Sequence, residues 1–319
     1  MSLSKNILFT DETHPYLPEA LKNMGFQCHF HFETDREMLK ILLPGFVGIV
    51  CKSRLKLDSD FLQQATSLKF IARAGVGLEH IDLDFAEAQN IRVFASPEGS
   101  RDTVAEHTVG LLLGLMNNLH RADRQIRAGQ WIRKANTGTE LGGKTVGILG
   151  YGNMGQAFAR RLSGFNVRVL AYDKYKTGYG DAFAEAADLQ DIFDRADILS
   201  IHIPYSPDNH HFINDDFLNR FKKPIWLVNT ARGTVLSTVD LIKHLHAGKV
   251  RGAALDVIEY EEMSFNSLNL QNLPEPFHLL LQMDNVILSP HIAGWSIESH
   301  LGHAKVLANK IREWLGEDD

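Results

Sequence analysis

Four segments of this 319-residue chain carry side chains that could do chemistry together. The first is Gly150-Tyr151-Gly152-Asn153-Met154-Gly155, directly after the apolar run Val146-Gly147-Ile148-Leu149 and opening a helix over Gln156 to Leu162. Its first glycine permits a tight turn, the second admits a pyrophosphate to the backbone, and the third lets helix and strand pack closely. The helix start adds N–H groups and a partial positive charge. The next strand ends in Tyr172-Asp173, about 20 residues on, where a carboxylate can accept both hydroxyls of an adenosine ribose. Together they read as a dinucleotide site. A carboxylate at that place repels a 2′-phosphate and no arginine follows it immediately, so NAD is favoured over NADP, with Lys174 and Lys176 pulling the other way.

A nicotinamide enzyme acting on an alcohol needs a base for the hydroxyl proton, a cation for a carboxylate or carbonyl, and a group that holds the base in its working state. The other three segments offer these, each at the carboxyl end of a predicted strand, where ligands bind in open α/β sheets. In Val228-Asn229-Thr230-Ala231-Arg232-Gly233, Arg232 can fork onto a carboxylate. In Ala254-Leu255-Asp256-Val257-Ile258-Glu259-Tyr260-Glu261-Glu262, neighbouring carboxyls repel and can raise one another's pKa, although Glu259 and Glu262 also suit a solvated acidic loop. In Ser289-Pro290-His291-Ile292-Ala293-Gly294-Trp295, His291 stands just past a strand, and histidine is the commonest proton-transfer side chain near neutral pH. The chain has 15 histidines, and His29, His31, His210, His211, His244, His246, His300 and His303 are read as structural or exposed.

Short β-branched or aromatic runs must position these groups: Asn6 to Thr10, Cys28 to Phe32, Val47 to Cys51, Lys69 to Ala72 and Arg92 to Ala95, alternating with helix-length stretches. A long helix over Thr103 to Arg127 follows, and then six strands: Thr145 to Leu149, Val167 to Tyr172, Ile198 to Ile203, Ile225 to Val228, Gly252 to Val257 and Val286 to Leu288. This is an α/β pattern with doubly wound parallel sheets. A last helix, Ser296 to Leu315, can return to the first sheet, so the expected domains are 1–101 plus 295–319 and 102–294.

Composition narrows the partners. Lys plus Arg number 33 against 39 Asp plus Glu, a formal charge of -6, which argues against nucleic acid. The longest apolar run, Val109 to Met116, falls far short of the roughly 20 residues of a membrane helix, and the start of the chain lacks signal-peptide character, so a cytoplasmic protein is expected. Two cysteines, Cys28 and Cys51, make no disulfide framework or metal-ligand spacing and are read as reduced and buried. The acidic end Glu317-Asp318-Asp319 is read as frayed.

From about Ile49 to the final helix the chain resembles the D-isomer-specific 2-hydroxyacid dehydrogenases, with its nearest likeness to short phosphoglycerate dehydrogenases. The resemblance is carried by Arg73-Ala74-Gly75-Val76-Gly77-Leu78-Glu79-His80-Ile81-Asp82, Thr103-Val104-Ala105-Glu106-His107, the Gly150 turn, and the Arg232, Asp256 and His291 segments. It implies two Rossmann-like domains with an interdomain active-site cleft, the first completed by the C-terminal helix. It implies NAD as cofactor, held at Gly150, Gly152, Asn153, Met154, Gly155, Asp173, Thr230, Asp256 and Thr103. It further implies His291 as acid/base paired with Glu261, Arg232 binding the 2-hydroxy or 2-oxo acid, the backbone of Val76 and Gly77 holding the substrate carboxylate, and Arg54 near its far end.

The sequence departs from the family at Glu261-Glu262, where Glu-Pro is usual, and in the long stretch Met263 to Pro276, so Glu259 stands as the fallback partner of His291. Trp295 replaces a small residue. The expected substrate is a D-2-hydroxy acid, with D-3-phosphoglycerate first and glyoxylate or hydroxypyruvate as the rival. A glutamate rather than a glutamine beside the histidine disfavours formate dehydrogenase. The corepressors that share the fold keep the same triad, and the absence of disordered tails disfavours them. The helix with Gly110 and Gly114 resembles a dimer-forming region, so a homodimer is expected, and with nothing following Asp319 no regulatory domain is expected.

Overall fold

The fold is built around two parallel sheets, described in a computed structural model over residues 5–261 and 273–316. Glu262, most of the long stretch that begins at Met263, and the acidic end Glu317-Asp318-Asp319 lie outside the described residues. The chain divides into two compact units, one running to Ser100 and resuming at Trp295, the other from Arg101 to Gly294.

In the first unit β1 (Asn6–Phe9), β2 (Gln27–Phe30), β3 (Gly48–Cys51), β4 (Phe70–Arg73) and β5 (Arg92–Ala95) form one sheet in the order β2-β1-β3-β4-β5. This is the doubly wound arrangement of flavodoxin-like sheets. Side chains alternate across the pleat. Leu8, Ile49, Cys51 and Ile71 fill one face, while Ile7, Phe9, Val50, Phe70 and Ala72 fill the other. The C-terminal helix Ile297–Leu315 docks on that second face through Ala304, Leu307, Ala308 and Ile311, which recur at helical spacing. It starts in a capping box, with Ser296 and Ser299 each bonding the other's backbone N–H at 2.9 Å. Cys51 is buried, and burial pushes its thiol up to about 12, but Cys28 is only half-buried, because β2 is an edge strand.

In the second unit β6 (Thr145–Leu149), β7 (Arg168–Tyr172), β8 (Glu185–Ala186), β9 (Ile198–Ile201), β10 (Ile225–Asn229), β11 (Val250–Leu255) and β12 (Val286–Leu288) run in the order β12-β11-β10-β9-β6-β7-β8. The strand order reverses at β6, the Rossmann switch point, and β6 leads into the glycine turn. The sheet has seven strands rather than the expected six; the two-residue edge strand β8, both residues exposed, has no apolar pattern to announce it. The single long helix expected from Thr103 is two, Arg101–Met116 and Leu119–Arg127, divided where Asn118 takes φ 56°. Asparagine tolerates the left-handed region better than most residues, so this break is local chemistry. Among the described residues no helix is long and apolar enough to cross a membrane.

Candidate active site

The glycine turn sits as its spacing demands. Gly150 has φ +89°, and a Cβ there would lie 2.8 Å from the His202 carbonyl oxygen. A Cβ on Gly155 would meet the Gly150 oxygen at 2.1 Å, so the helix approaches the strand as only glycine permits. At Gly152 a Cβ would meet nothing within 4 Å, which leaves an open cradle against the backbone. The helix Asn153–Arg161 begins earlier than expected and carries no side-chain cap, so its first N–H groups, those of Asn153 and Met154, remain available to a phosphate. The carboxylate of Asp173 is fixed by the Tyr151 N–H at 2.9 Å and the Tyr175 N–H at 3.0 Å, each of which leaves acceptor capacity on its oxygen. These residues fit a dinucleotide.

Two devices here were not anticipated. Tyr151 is fully buried, its hydroxyl donates to Asp181 at 2.9 Å, and Lys176 Nζ donates to the Tyr151 carbonyl at 2.7 Å. The Tyr179 hydroxyl accepts the Asp173 N–H at 2.9 Å. The segment after β7 therefore clips the turn to the carboxylate.

His291 and Glu261 meet in the same unit. His291 Nδ1 lies 2.6 Å from Glu261 Oε2, while Glu261 Oε1 accepts the Ile258 N–H at 2.5 Å. A carboxylate accepts, so Nδ1 carries the hydrogen of that pair and Nε2 is the ring nitrogen not committed to Glu261. The fallback Glu259 turns elsewhere: its Oε1 is 2.7 Å from His211 Nε2, and its Oε2 accepts the Thr238 N–H at 3.0 Å.

Asp256 is 1% exposed and supports the histidine loop. Its Oδ1 accepts from the Ser289 hydroxyl at 2.6 Å and the Ile292 N–H at 3.0 Å, its Oδ2 accepts the Ala293 N–H at 2.7 Å, and its backbone oxygen accepts the His291 N–H at 2.8 Å. Those bonds hold His291 at φ 55°, a region costly for a residue with a Cβ. Burial pushes the Asp256 carboxyl up, and hydrogen bonds from His107, Ser289, Ala293 and Ile292 outweigh it, so its pKa is lowered. His107 Nε2 lies 3.5 Å from that carboxylate, a contact that its place in the sequence did not signal.

Arg232 and Glu261 lie on loops pressed together at Gly233, where a Cβ would fall 1.9 Å from the Ile258 oxygen. Asn229 locks the Arg232 turn, accepting the Ala231 N–H and donating to the Arg232 carbonyl, both at 3.0 Å. Thr230 Oγ1 lies 3.1 Å from Thr108 Oγ1. Thr108 already donates to the Val104 carbonyl at 2.7 Å, so Thr230 is the donor of that pair. Thr103 stands in the first turn of the helix Arg101–Met116.

In the first unit, Val76 and Gly77 follow Gly75 beyond the end of β4, and their N–H groups have no hydrogen-bond partner among the described residues. Successive backbone N–H groups of this kind can receive an anion where the turn makes them converge. Arg54 is more engaged than expected: it donates to the carbonyls of Thr10, Thr34 and His31 at 3.0, 3.1 and 3.1 Å, leaving two of its five N–H groups. Trp295 is 70% exposed.

Residues 109–293 match the model of the D-isomer specific 2-hydroxyacid dehydrogenase NAD binding domain. The chain belongs to this family. It is an NAD-dependent oxidoreductase. It is 38% identical to a glyoxylate reductase from Thermofilum pendens over 83% of this chain and 77% of that one. It is 36% identical to a hydroxypyruvate reductase from Thermotoga maritima over 90% of each. Among solved structures, a D-lactate dehydrogenase from Aquifex aeolicus complexed with NAD and lactic acid superposes with a TM-score of 0.82 at 27% identity, over 98% of this chain and 96% of that one.

Proposed function

We propose that this dehydrogenase reduces a small 2-oxo acid, glyoxylate or hydroxypyruvate, to the 2-hydroxy acid. The observation that carries the chemistry is the 2.6 Å contact of His291 with Glu261, a proton donor oriented by a carboxylate. Bound NADH supplies the hydride to C2. His291 gives the proton to the C2 oxygen from Nε2, and Glu261 holds the ring and balances its charge. Arg232 binds the oxo acid through its guanidinium, and the N–H groups of Val76 and Gly77 take the carboxylate. Asp256 fixes the histidine loop on the nicotinamide side. Gly150, Gly152, Asn153, Met154, Gly155 and Asp173 hold the phosphates and ribose, with Thr230 and Thr103 beside them.

The small substrate is supported by Arg54, whose guanidinium is largely engaged by carbonyls, and by the likeness to glyoxylate and hydroxypyruvate reductases. One observation favours D-3-phosphoglycerate instead: Lys52, just past β3, has no hydrogen-bond partner for Nζ among the described residues and could meet a second anion. Absorbance at the NADH band with glyoxylate, hydroxypyruvate and pyruvate, and in reverse with NAD and D-3-phosphoglycerate, tests both. Turnover of phosphoglycerate alone would overturn the small-substrate reading.

We also infer a homodimer, supported by exposed apolar side chains at Leu119, Ile126 and Trp131, the last 81% exposed. Sedimentation of a monomer at micromolar concentration would refute it.

A further inference from the structure

The loop that carries Val76 and Gly77 is held from behind by His303, one of the histidines expected to be structural or exposed. Gly75, just before them, is gripped at two points by Ser96, which is fully buried. The Ser96 hydroxyl oxygen accepts the Gly75 N–H at 3.0 Å, and the Ser96 N–H donates to the Gly75 carbonyl at 2.8 Å. Only glycine fits there, since φ is +154° and a Cβ would fall 1.0 Å from Arg73 Nη1.

Ser96 is gripped in turn by the C-terminal helix. His303 Nδ1 lies 2.9 Å from the Ser96 carbonyl oxygen and 2.8 Å from its hydroxyl oxygen. A carbonyl only accepts, so Nδ1 carries the hydrogen and shares it between the two oxygens. The serine hydrogen then turns toward the Arg73 or Gly75 carbonyl, each 3.3 Å away. His303 Nδ1, the Ser96 hydroxyl and the Gly75 N–H thus each have a partner in one arrangement. The helix can come this close because Gly302 and Gly99 meet: a Cβ on Gly302 would fall 2.4 Å from the Gly99 oxygen, and one on Gly99 would fall 2.5 Å from the His303 nitrogen. Burial and nearby positive charge hold the His303 pKa at about 4, so the ring is neutral near pH 7 and adds no charge of its own behind the loop.

We propose that His303 and Ser96 are positioning residues for the substrate carboxylate: the ring orients the serine hydroxyl, the serine clasps Gly75, and the clasp aims the Val76 and Gly77 N–H groups. This rests on the reading of those two N–H groups as the carboxylate site. A donor pair aimed by a rigid support binds an anion without having to be ordered first. Loosening the clasp therefore weakens the oxo acid and leaves the dinucleotide alone.

The test uses His303→Leu, which keeps bulk and removes the donor, His303→Asn, whose amide can place an N–H near Nδ1, and Ser96→Ala, which removes one oxygen. Lys310→Met is the control, since Lys310 ties the same helix to the Ala95 carbonyl at 2.9 Å and to Glu98 without touching Ser96. Steady-state rates with glyoxylate and NADH, and titration of oxamate into each protein–NADH complex, read the same site with and without turnover. In His303→Leu and Ser96→Ala the glyoxylate KM and the oxamate Kd rise about tenfold while the NADH KM and kcat hold within about twofold; His303→Asn recovers most of the loss, and Lys310→Met shows none. Unchanged values in whichever of the two loss variants folds, or an equal rise in Lys310→Met, would overturn the proposal. A wild-type protein that binds oxamate but reduces no 2-oxo acid overturns the proposed activity and leaves the clasp to be judged on oxamate; one that does neither overturns both.

Discussion

His291 Nδ1 and Glu261 Oε2 stand 2.6 Å apart, with the histidine backbone held at φ 55° by Asp256. The two residues are 30 positions apart and reach each other from different loops. Substituting His291→Ala should lower kcat by about 10²–10⁴-fold, the usual worth of a positioned acid, and leave NADH affinity intact. Glu261→Gln should cost most of that, whereas Glu259→Gln, which breaks the pair with His211, should leave kcat within a few fold and lower stability. Equal kinetic losses in the two glutamate variants would sink the assignment.

Asp173 is fixed against the glycine turn through the Tyr151 N–H. Replacing it with alanine should raise the KM for NAD about tenfold and narrow the gap to NADP, because the repulsion of a 2′-phosphate disappears. An unchanged ratio of the two KM values would mean that another residue reads the ribose.

Burial pushes His80, His202 and His303 down to about 4. Unfolded histidines titrate near 6.5, so the folded state binds fewer protons between the two values. Stability from these rings is full above about pH 6.5 and drains away as the pH falls toward 4. Unfolding at pH 5 should take up about three protons, measurable by calorimetry in buffers of different ionisation enthalpy. An uptake below about one proton would show that the rings are solvated when folded.

Leu307 is completely buried on the docked face of the C-terminal helix. Leu307→Ala should destabilise the first unit by about 2–5 kcal/mol, the range for buried leucine truncation. Urea unfolding followed through tryptophan fluorescence checks this, since Trp314 packs edge-on against Phe70 at 5.7 Å. No change in midpoint would mean that the helix is not held on the sheet in solution.

The parallel strands, the glycine turn with its acid, Arg232 and His291 were legible in the chain because each depends on residue types a few positions apart: short β-branched or aromatic runs, φ-permissive glycines, and polar groups just past strand ends. The choice of Glu261 over Glu259 was decided by the tertiary structure, because His211 and the Thr238 N–H claim the Glu259 carboxylate from segments remote in sequence. The engagement of Arg54 was decided in the same way, by the Thr10 carbonyl after β1 and the His31 and Thr34 carbonyls of the loop after β2. So was the bond of His303 to Ser96 across 207 residues. Side-chain chemistry and spacing state what a residue can do; which partner it meets depends on how distant segments pack, and a hydrogen bond 2.6–3.0 Å long is decided by displacements far smaller than any sequence period records.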